Sequence, residues 1–98
     1  MKYAVLFEDN DEFAHMRPKF MADHLQFLAD NSSRIEIAGS MKDGTSGEPA
    51  GGLWIVDAES ADAVQSLVET DPFWPTGLRK SIRILEWTQV YAFGEKKI

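Results

Sequence analysis

The side chain with the clearest potential for chemistry is His24, because a predicted amphipathic helix turns it toward the interior. At about 100° per residue, Arg17, Phe20 and His24 share one face of this helix. Leu28 extends the same face by one more turn. An imidazole changes charge near neutral pH, so an inward histidine can act as a general acid or base. The only other histidine is His15 and cysteine is absent, so we expect any proton transfer to pass through His24.

Asp71 is the candidate partner of His24. It opens the turn Asp71-Pro72-Phe73, which follows the second predicted helix. A carboxylate on one ring nitrogen of a histidine fixes the tautomer and raises the basicity of the other nitrogen, as a general base requires. A carboxylate before a proline is also a good N-cap, and a lone histidine on an apolar face is often a core residue bonded to backbone or water. A catalytic His24-Asp71 dyad and a purely structural role for both residues are therefore open.

Arg17 and three aromatic residues are candidates for substrate contacts. Arg17 could hold a carboxylate or a phenolate at the rim of a pocket, or form a surface ion pair with the acidic run at residues 8–12. Phe20 shares the face of His24, and Phe73 and Trp74 stand beside Asp71. Large aromatic side chains are common both in cores and interfaces and in ligand sites, so both roles remain open for these residues.

No pattern in the chain is typical of a metal or a phosphate site. The acidic run at residues 8–12 lacks the turn glycine and the distal glutamate of a calcium loop. The glycines between residues 44 and 52 are not followed by the Gly-Lys-Ser/Thr of a phosphate-binding loop. We therefore expect no metal site and no cofactor.

These residues are positioned by secondary-structure elements that follow the order strand, helix, strand, strand, helix and strand. Strands are predicted over residues 2–8, 34–41, 52–58 and about 80–93, the last with a bulge. The first helix begins between Phe13 and Pro18 and ends near residues 31–33. The second follows the N-cap Ser60 and stops before Pro72. Glycines and a proline over residues 42–51 predict a hairpin loop between the second and third strands.

This order predicts an α+β ferredoxin-like βαββαβ sandwich, in which two helices cover one face of an antiparallel sheet. We expect the first and third strands to be parallel neighbours, which places the helices side by side and Asp71 near His24. The strands carry apolar side chains on both faces. In the third strand, for example, Leu53 and Trp54 point in opposite directions. Two helices cover only one face, so the pattern predicts a homodimer through the open sheet face.

Length and charge narrow the class of protein further. The chain has 98 residues, of which 44% are hydrophobic, and this suits a single domain over residues 1–98. The formal net charge of -6 argues against nucleic acid or an anionic membrane as a partner. No apolar run approaches the length of a membrane span or of a signal-peptide core, so we expect a cytoplasmic protein.

The chain resembles YciI-type proteins over essentially its whole length. The matching pieces are Arg17, His24-Leu25, Ala38-Gly39, Glu59-Ser60, Asp71-Pro72-Phe73 and Gly77-Leu78. The resemblance implies a dimeric α/β barrel with a ferredoxin-like protomer, and a His-Asp pair as the active site. It also implies a link to the breakdown of chlorinated aromatic compounds, in which some relatives take part. Many relatives carry an arginine three residues before the histidine, where this chain has Met21.

The residues and the resemblance together favour a cofactor-free lyase or isomerase acting on a small cyclic or aromatic acid. In this hypothesis His24 shuttles a proton, Asp71 orients the imidazole and Arg17 holds an anionic group. A module that binds a small apolar or aromatic ligand without turnover is one alternative, and a structural homodimeric domain is another. A catalytic His24 must be reachable by a ligand, whereas a structural one is sealed in the core.

Overall fold

Strands and helices alternate in the predicted order in the computed structural model, which describes residues 1–98. The four main strands are β1 (Lys2–Asp9), β2 (Ile35–Lys42), β3 (Pro49–Asp57) and β4 (Arg79–Glu86). The helices are α1 (Met16–Asp30) and α2 (Ala61–Val68). Short 3-10 turns precede α1 and β4, and a small hairpin of β5 (Tyr91–Ala92) and β6 (Glu95–Lys96) ends the chain. The ferredoxin-like α+β prediction is confirmed.

The sheet has the order β2-β3-β1-β4, and every neighbouring pair is antiparallel. The prediction of parallel first and third strands was therefore wrong. The crossover through α1 makes β1 and β2 parallel, and the β2–β3 hairpin then reverses the chain, so β3 lies antiparallel to β1 when it inserts between them. The register places Val5 opposite Trp54 on β3 and opposite Ile84 on β4.

The last strand is shorter than predicted, because it ends at Glu86 and not near Phe93. Glu86 pairs with Tyr3, and the N–H of Trp87 donates to the carbonyl of Lys2 at the very start of β1. Beyond this point β1 offers no further partner, so the chain leaves the sheet and pairs with itself in the β5–β6 hairpin. Phe93 and Gly94, both at positive φ, form the two central residues of that turn.

Helix α2 begins as the sequence predicts, since the Ser60 hydroxyl accepts a hydrogen bond from the N–H of Ala63 at 3.1 Å. The β2–β3 loop is held by Asp43, whose carboxylate accepts hydrogen bonds from the N–H groups of Thr45 and Ser46. These two backbone hydrogen bonds lower the pKa of Asp43. Both contacts satisfy backbone donors that a helix start or a tight turn leaves free.

The core lies between the helices and one face of the sheet. The strands contribute Tyr3, Val5, Phe7, Trp54 and Val56, and α2 contributes Val64, Leu67 and Val68, all of them buried. Trp54 therefore occupies the helix-covered face, where it packs against Phe7 and Phe27. The opposite face of the sheet stays uncovered in the protomer and is apolar, with Ile37 and Leu85 exposed.

Neither helix is long and apolar enough to cross a membrane. Helix α1 is the longer of the two, with 15 residues. Only His24 and Phe27 of α1 are buried, so most of its surface faces solvent.

Candidate active site

Helix α1 brings His24 to the sheet. Pro18 falls in the first turn of the helix, where its missing N–H is tolerated. At the other end the side chain and the backbone N–H of Asn31 both donate to the Phe27 carbonyl, at 2.8 and 3.1 Å. The inward face of the helix thus carries His24 to a position where the residue is only 7% exposed, as the periodicity predicts.

Asp71 lies directly behind His24, in the turn between α2 and β4. The Nδ1 atom of His24 is 2.9 Å from Oδ1 of Asp71, and the same oxygen accepts a hydrogen bond from the N–H of Phe73 at 3.1 Å. The same carboxylate oxygen therefore contacts the histidine and closes the turn from Asp71 to Phe73, and the N-cap of the following 3-10 turn is Phe73. An ionised carboxylate only accepts hydrogen bonds, so Nδ1 is the donor and the lone pair of the neutral ring lies on Nε2.

Aromatic rings hold the imidazole in place. Phe73, which is fully buried, stacks on His24 with ring centroids 4.4 Å apart. Trp54 lies 6.1 Å and Phe27 6.5 Å from the imidazole, between centroids. These contacts restrict rotation of the ring, so the Asp71 hydrogen bond and the packing select one orientation.

Arg79, which the sequence analysis did not single out, belongs to the same cluster. Its Nη1 donates to Oδ1 of Asp9 at 3.1 Å, while the other oxygen of Asp9 accepts two hydrogen bonds from Arg17. Burial lowers the pKa of Arg79 below its ordinary value, and the charge and hydrogen bond of Asp9 oppose this shift. A continuous chain of ionisable groups thus runs from the rim of the site to the imidazole, in the order Arg17, Asp9, Arg79, Asp71 and His24.

The strand register is the signal that could have identified Arg79 as a residue of the site. Once β1 and β4 are known to be antiparallel neighbours, the end of β1 lies opposite the start of β4, and Asp9 falls opposite Arg79. Opposite charges facing each other across two strands attract. The predicted last strand begins at about Lys80, which leaves Arg79 just outside it.

A cavity of about 210 Å³ opens between α1 and the sheet. Helix α1 contributes Arg17, Met21, His24, Leu25 and Leu28, and the sheet contributes Ala38, Gly39, Ser40, Trp54 and Arg79. Its volume is below the roughly 300–1,000 Å³ of pockets for drug-sized ligands, so it suits a ligand with a single ring. A larger depression of about 380 Å³, between the N-terminus and the start of α2, contains no histidine and lies away from the dyad residues.

The cavity receives some of the predicted site residues and not others. His24 and Arg17 line it. Asp71 and Phe73 lie behind the imidazole and reach the cavity only through it. Phe20 is half-buried with Lys19 Nζ 5.5 Å from its ring, and Trp74 packs against the edge of the core. Neither Phe20 nor Trp74 lines the cavity.

No group of three or more histidine, aspartate and glutamate side chains is arranged to hold a metal ion. Four polar groups that line the cavity can take part in chemistry: the imidazole of His24, the hydroxyl of Ser40 and the guanidinium groups of Arg17 and Arg79. This set can transfer a proton and can bind oxygens, including anionic ones.

Fold and site together define a small α+β protein of the ferredoxin-like class, with a buried His-Asp pair at the inner end of a cavity between helix and sheet. The chain belongs to the YCII-related domain family, because the model of that family matches residues 1–88. The resemblance to YciI-type proteins is thereby confirmed.

Solved structures with the same fold include one with a known activity. The chain is similar to the 5-chloro-2-hydroxyhydroquinone dehydrochlorinase TftG from Burkholderia phenoliruptrix AC1100, solved in complex with 2,5-dihydroxybenzoquinone. The TM-score is 0.79 and the identity 28%, over 91% of this chain and 95% of TftG. The hypothetical protein At3g17210 from Arabidopsis thaliana matches with a TM-score of 0.53 and 11% identity, over 93% of this chain and 88% of that one, which shows the fold alone. No curated protein matches the sequence.

Proposed function

We propose that this protein is an enzyme that binds a small oxygenated ring compound in the cavity at His24 and catalyses a cofactor-free lyase or isomerase reaction. The observation that carries the proposal is the 2.9 Å contact between His24 Nδ1 and Asp71 Oδ1, with the imidazole lining a cavity large enough for one ring. The similarity to TftG, whose substrate is a chlorinated hydroxyhydroquinone, supports this choice of substrate class.

In this proposal His24 is the general base and then the general acid. Asp71 holds the proton on Nδ1, so the lone pair on Nε2 is available to take a hydroxyl proton from the ring. The electron pair of the O–H bond becomes a ring carbonyl, and His24 returns the proton to a ring carbon. For an isomerase the reaction ends there. For a lyase, a leaving group on that carbon then departs as an anion while His24, neutral again, takes the proton of a second hydroxyl, which gives a quinone.

The substrate proposal is tested with the compounds of the similar enzyme. Under anaerobic conditions we expect the purified protein to bind 2,5-dihydroxybenzoquinone and to release chloride from 5-chloro-2-hydroxyhydroquinone, measured with a chloride electrode and by quinone absorbance. Binding of the quinone without chloride release from the hydroquinone would indicate a ligand-binding module. Absence of any binding would overturn the proposal.

We also propose that two copies of the chain associate through the open sheet face. Leu6, Leu53 and Ile55 point away from the helices on neighbouring strands, where Ile37 and Leu85 are exposed beside them. A continuous apolar face of this kind marks an interaction surface.

The dimer has a simple test in the molecular mass. Light scattering on the wild type is expected to give about twice the 11.0 kDa of one chain. Ile55→Lys puts a charge in the middle of the open face and should give a folded monomer, whereas Asp23→Lys, on the solvent side of α1, should leave the dimer intact. A monomeric wild type, or an Ile55→Lys variant that remains dimeric, would contradict the proposed interface.

A further inference from the structure

Asp71 is a carboxylate that is buried almost completely in the core. Its side chain is only 2% exposed, and Oδ1 contacts the Nδ1 atom of His24 and accepts a hydrogen bond from the N–H of Phe73. Neither of these groups carries a charge while the imidazole is neutral. A carboxylate that is removed from water stays ionised only where a nearby cation compensates for the lost hydration. The other oxygen of Asp71, Oδ2, faces Arg79.

Arg79 is the only arginine or lysine that forms an ion pair with Asp71. Its Nη2 lies 3.8 Å from Oδ2 of Asp71, and its side chain is only 4% exposed. The guanidinium is held in place, because Nη1 donates to Asp9 at 3.1 Å and Cζ lies 4.2 Å and 5.3 Å from the ring centroids of Phe7 and Phe73. At 3.8 Å the contact with Asp71 is too long for a hydrogen bond, so Arg79 acts on this carboxylate through its charge.

We propose that Arg79 is a positioning residue whose buried charge keeps Asp71 ionised while His24 is neutral. An ionised Asp71 only accepts hydrogen bonds, so it holds the ring proton on Nδ1 and leaves Nε2 free to take a proton from the ligand. A protonated Asp71 would itself donate to Nδ1, and the ring proton would then lie on Nε2, where the imidazole no longer acts as a base. The catalytic consequence rests on the proposed function, but the state of the imidazole can be observed without a ligand.

The charges of the cluster support this assignment. The titratable groups around Asp71 are His24 and Arg17 on α1, Asp9 on β1 and Arg79 on β4. Two arginines balance two aspartates, so the cluster is neutral when the imidazole is neutral. Burial lowers the pKa of Arg79, and the charges of Asp9 and Asp71 oppose this shift. Without the charge of Arg79 one buried negative charge would be in excess, and the pair of Asp71 and His24 would bind an additional proton more readily.

Nitrogen-15 NMR of the His24 ring in an Arg79→Met variant tests the assignment. Methionine fills much of the space of the arginine stem but carries no charge. At neutral pH we expect a neutral ring with its proton on Nδ1 in the wild type. In Arg79→Met we expect protons on both ring nitrogens or on Nε2 alone, and a return to the wild-type state only about one pH unit or more higher. Turnover of this variant should fall about tenfold or more at neutral pH and recover over the same range of pH.

Three further variants separate the charge of Arg79 from its packing. Arg79→Lys keeps the charge and should retain the wild-type state of the ring. Asp9→Asn removes the negative charge on the other side of Arg79, so it should act in the opposite direction and let the neutral ring persist to lower pH than in the wild type. Arg34→Met removes an exposed arginine that does not line the cavity and should change neither the ring state nor turnover.

The possible failures are distinct. The assignment is overturned if Arg79→Met keeps the ring state and the pH dependence of the wild type, or if Arg79→Lys loses them to the same extent as Arg79→Met. Should Arg79→Met not fold, Asp9→Asn decides the question, and the absence of a shift to lower pH in that variant would overturn the assignment. If the wild type turns over no substrate, the proposed function fails, while the NMR spectra still decide the role of Arg79.

Discussion

Turnover by a His24→Gln variant is expected to be about 100- to 10,000-fold slower than by the wild type, while the ligand still binds. Glutamine can donate a hydrogen bond to Asp71 and fill much of the space of the imidazole, but it cannot accept and return a proton near neutral pH. The substitution therefore removes the proton-transferring group and keeps the packing around it and the hydrogen bond to Asp71. The measurement is kcat on 5-chloro-2-hydroxyhydroquinone, together with the affinity for 2,5-dihydroxybenzoquinone.

Two further variants complete this prediction. Asp71→Asn keeps an oxygen that can cap the Phe73 N–H but removes the carboxylate that selects the His24 tautomer, so turnover should fall about 100-fold or more. Nitrogen-15 NMR of the ring should show the proton on Nδ1 in the wild type and a changed tautomer distribution in the variant. His15→Gln, at the exposed start of α1, is the matched control and should retain full turnover. A His24→Gln enzyme with the turnover of the wild type would refute the acid-base role.

The second large effect is expected at Gly51, where the β2–β3 hairpin passes against β1. Gly51 has a φ of +83°, and a Cβ at this position would lie 1.8 Å from the carbonyl oxygen of Phe7. Alanine there must both adopt a left-handed backbone and displace a backbone atom of the central strand. We expect Gly51→Ala to lower the free energy of unfolding by about 3 kcal/mol or more, a large share of the total for a domain of this size.

Gly47 provides the matched control for this substitution. Its φ is +76°, but a Cβ there meets nothing within 4 Å. Gly47→Ala therefore carries the backbone strain without the clash and should cost about 1–2 kcal/mol. Urea denaturation of both variants measures the difference. If the two substitutions lower the free energy of unfolding equally, the contact of an added Cβ at Gly51 with β1 does not add to the cost.

Local patterns in the sequence determined much of this protein. The helical period around His24 predicted which way the imidazole points, and Ser60 predicted where α2 begins, because both depend only on residues a few positions apart. The element order predicted the ferredoxin-like class. The alternation of strands β1 and β3 predicted that both faces of the sheet are apolar, since side-chain direction along a strand is a local property.

The tertiary structure decided what depends on pairing between distant segments. The direction of β3 relative to β1 follows from the hairpin that turns the chain, and the end of β4 follows from where β1 stops offering partners. Only the register of β1 with β4 shows that Arg79 joins Asp9 at the cavity. Likewise, Asp71 could be recognised locally as a cap, but its 2.9 Å contact with His24 joins residues 47 positions apart. Such contacts depend on how the sheet and helices pack, which no local period of a sequence encodes.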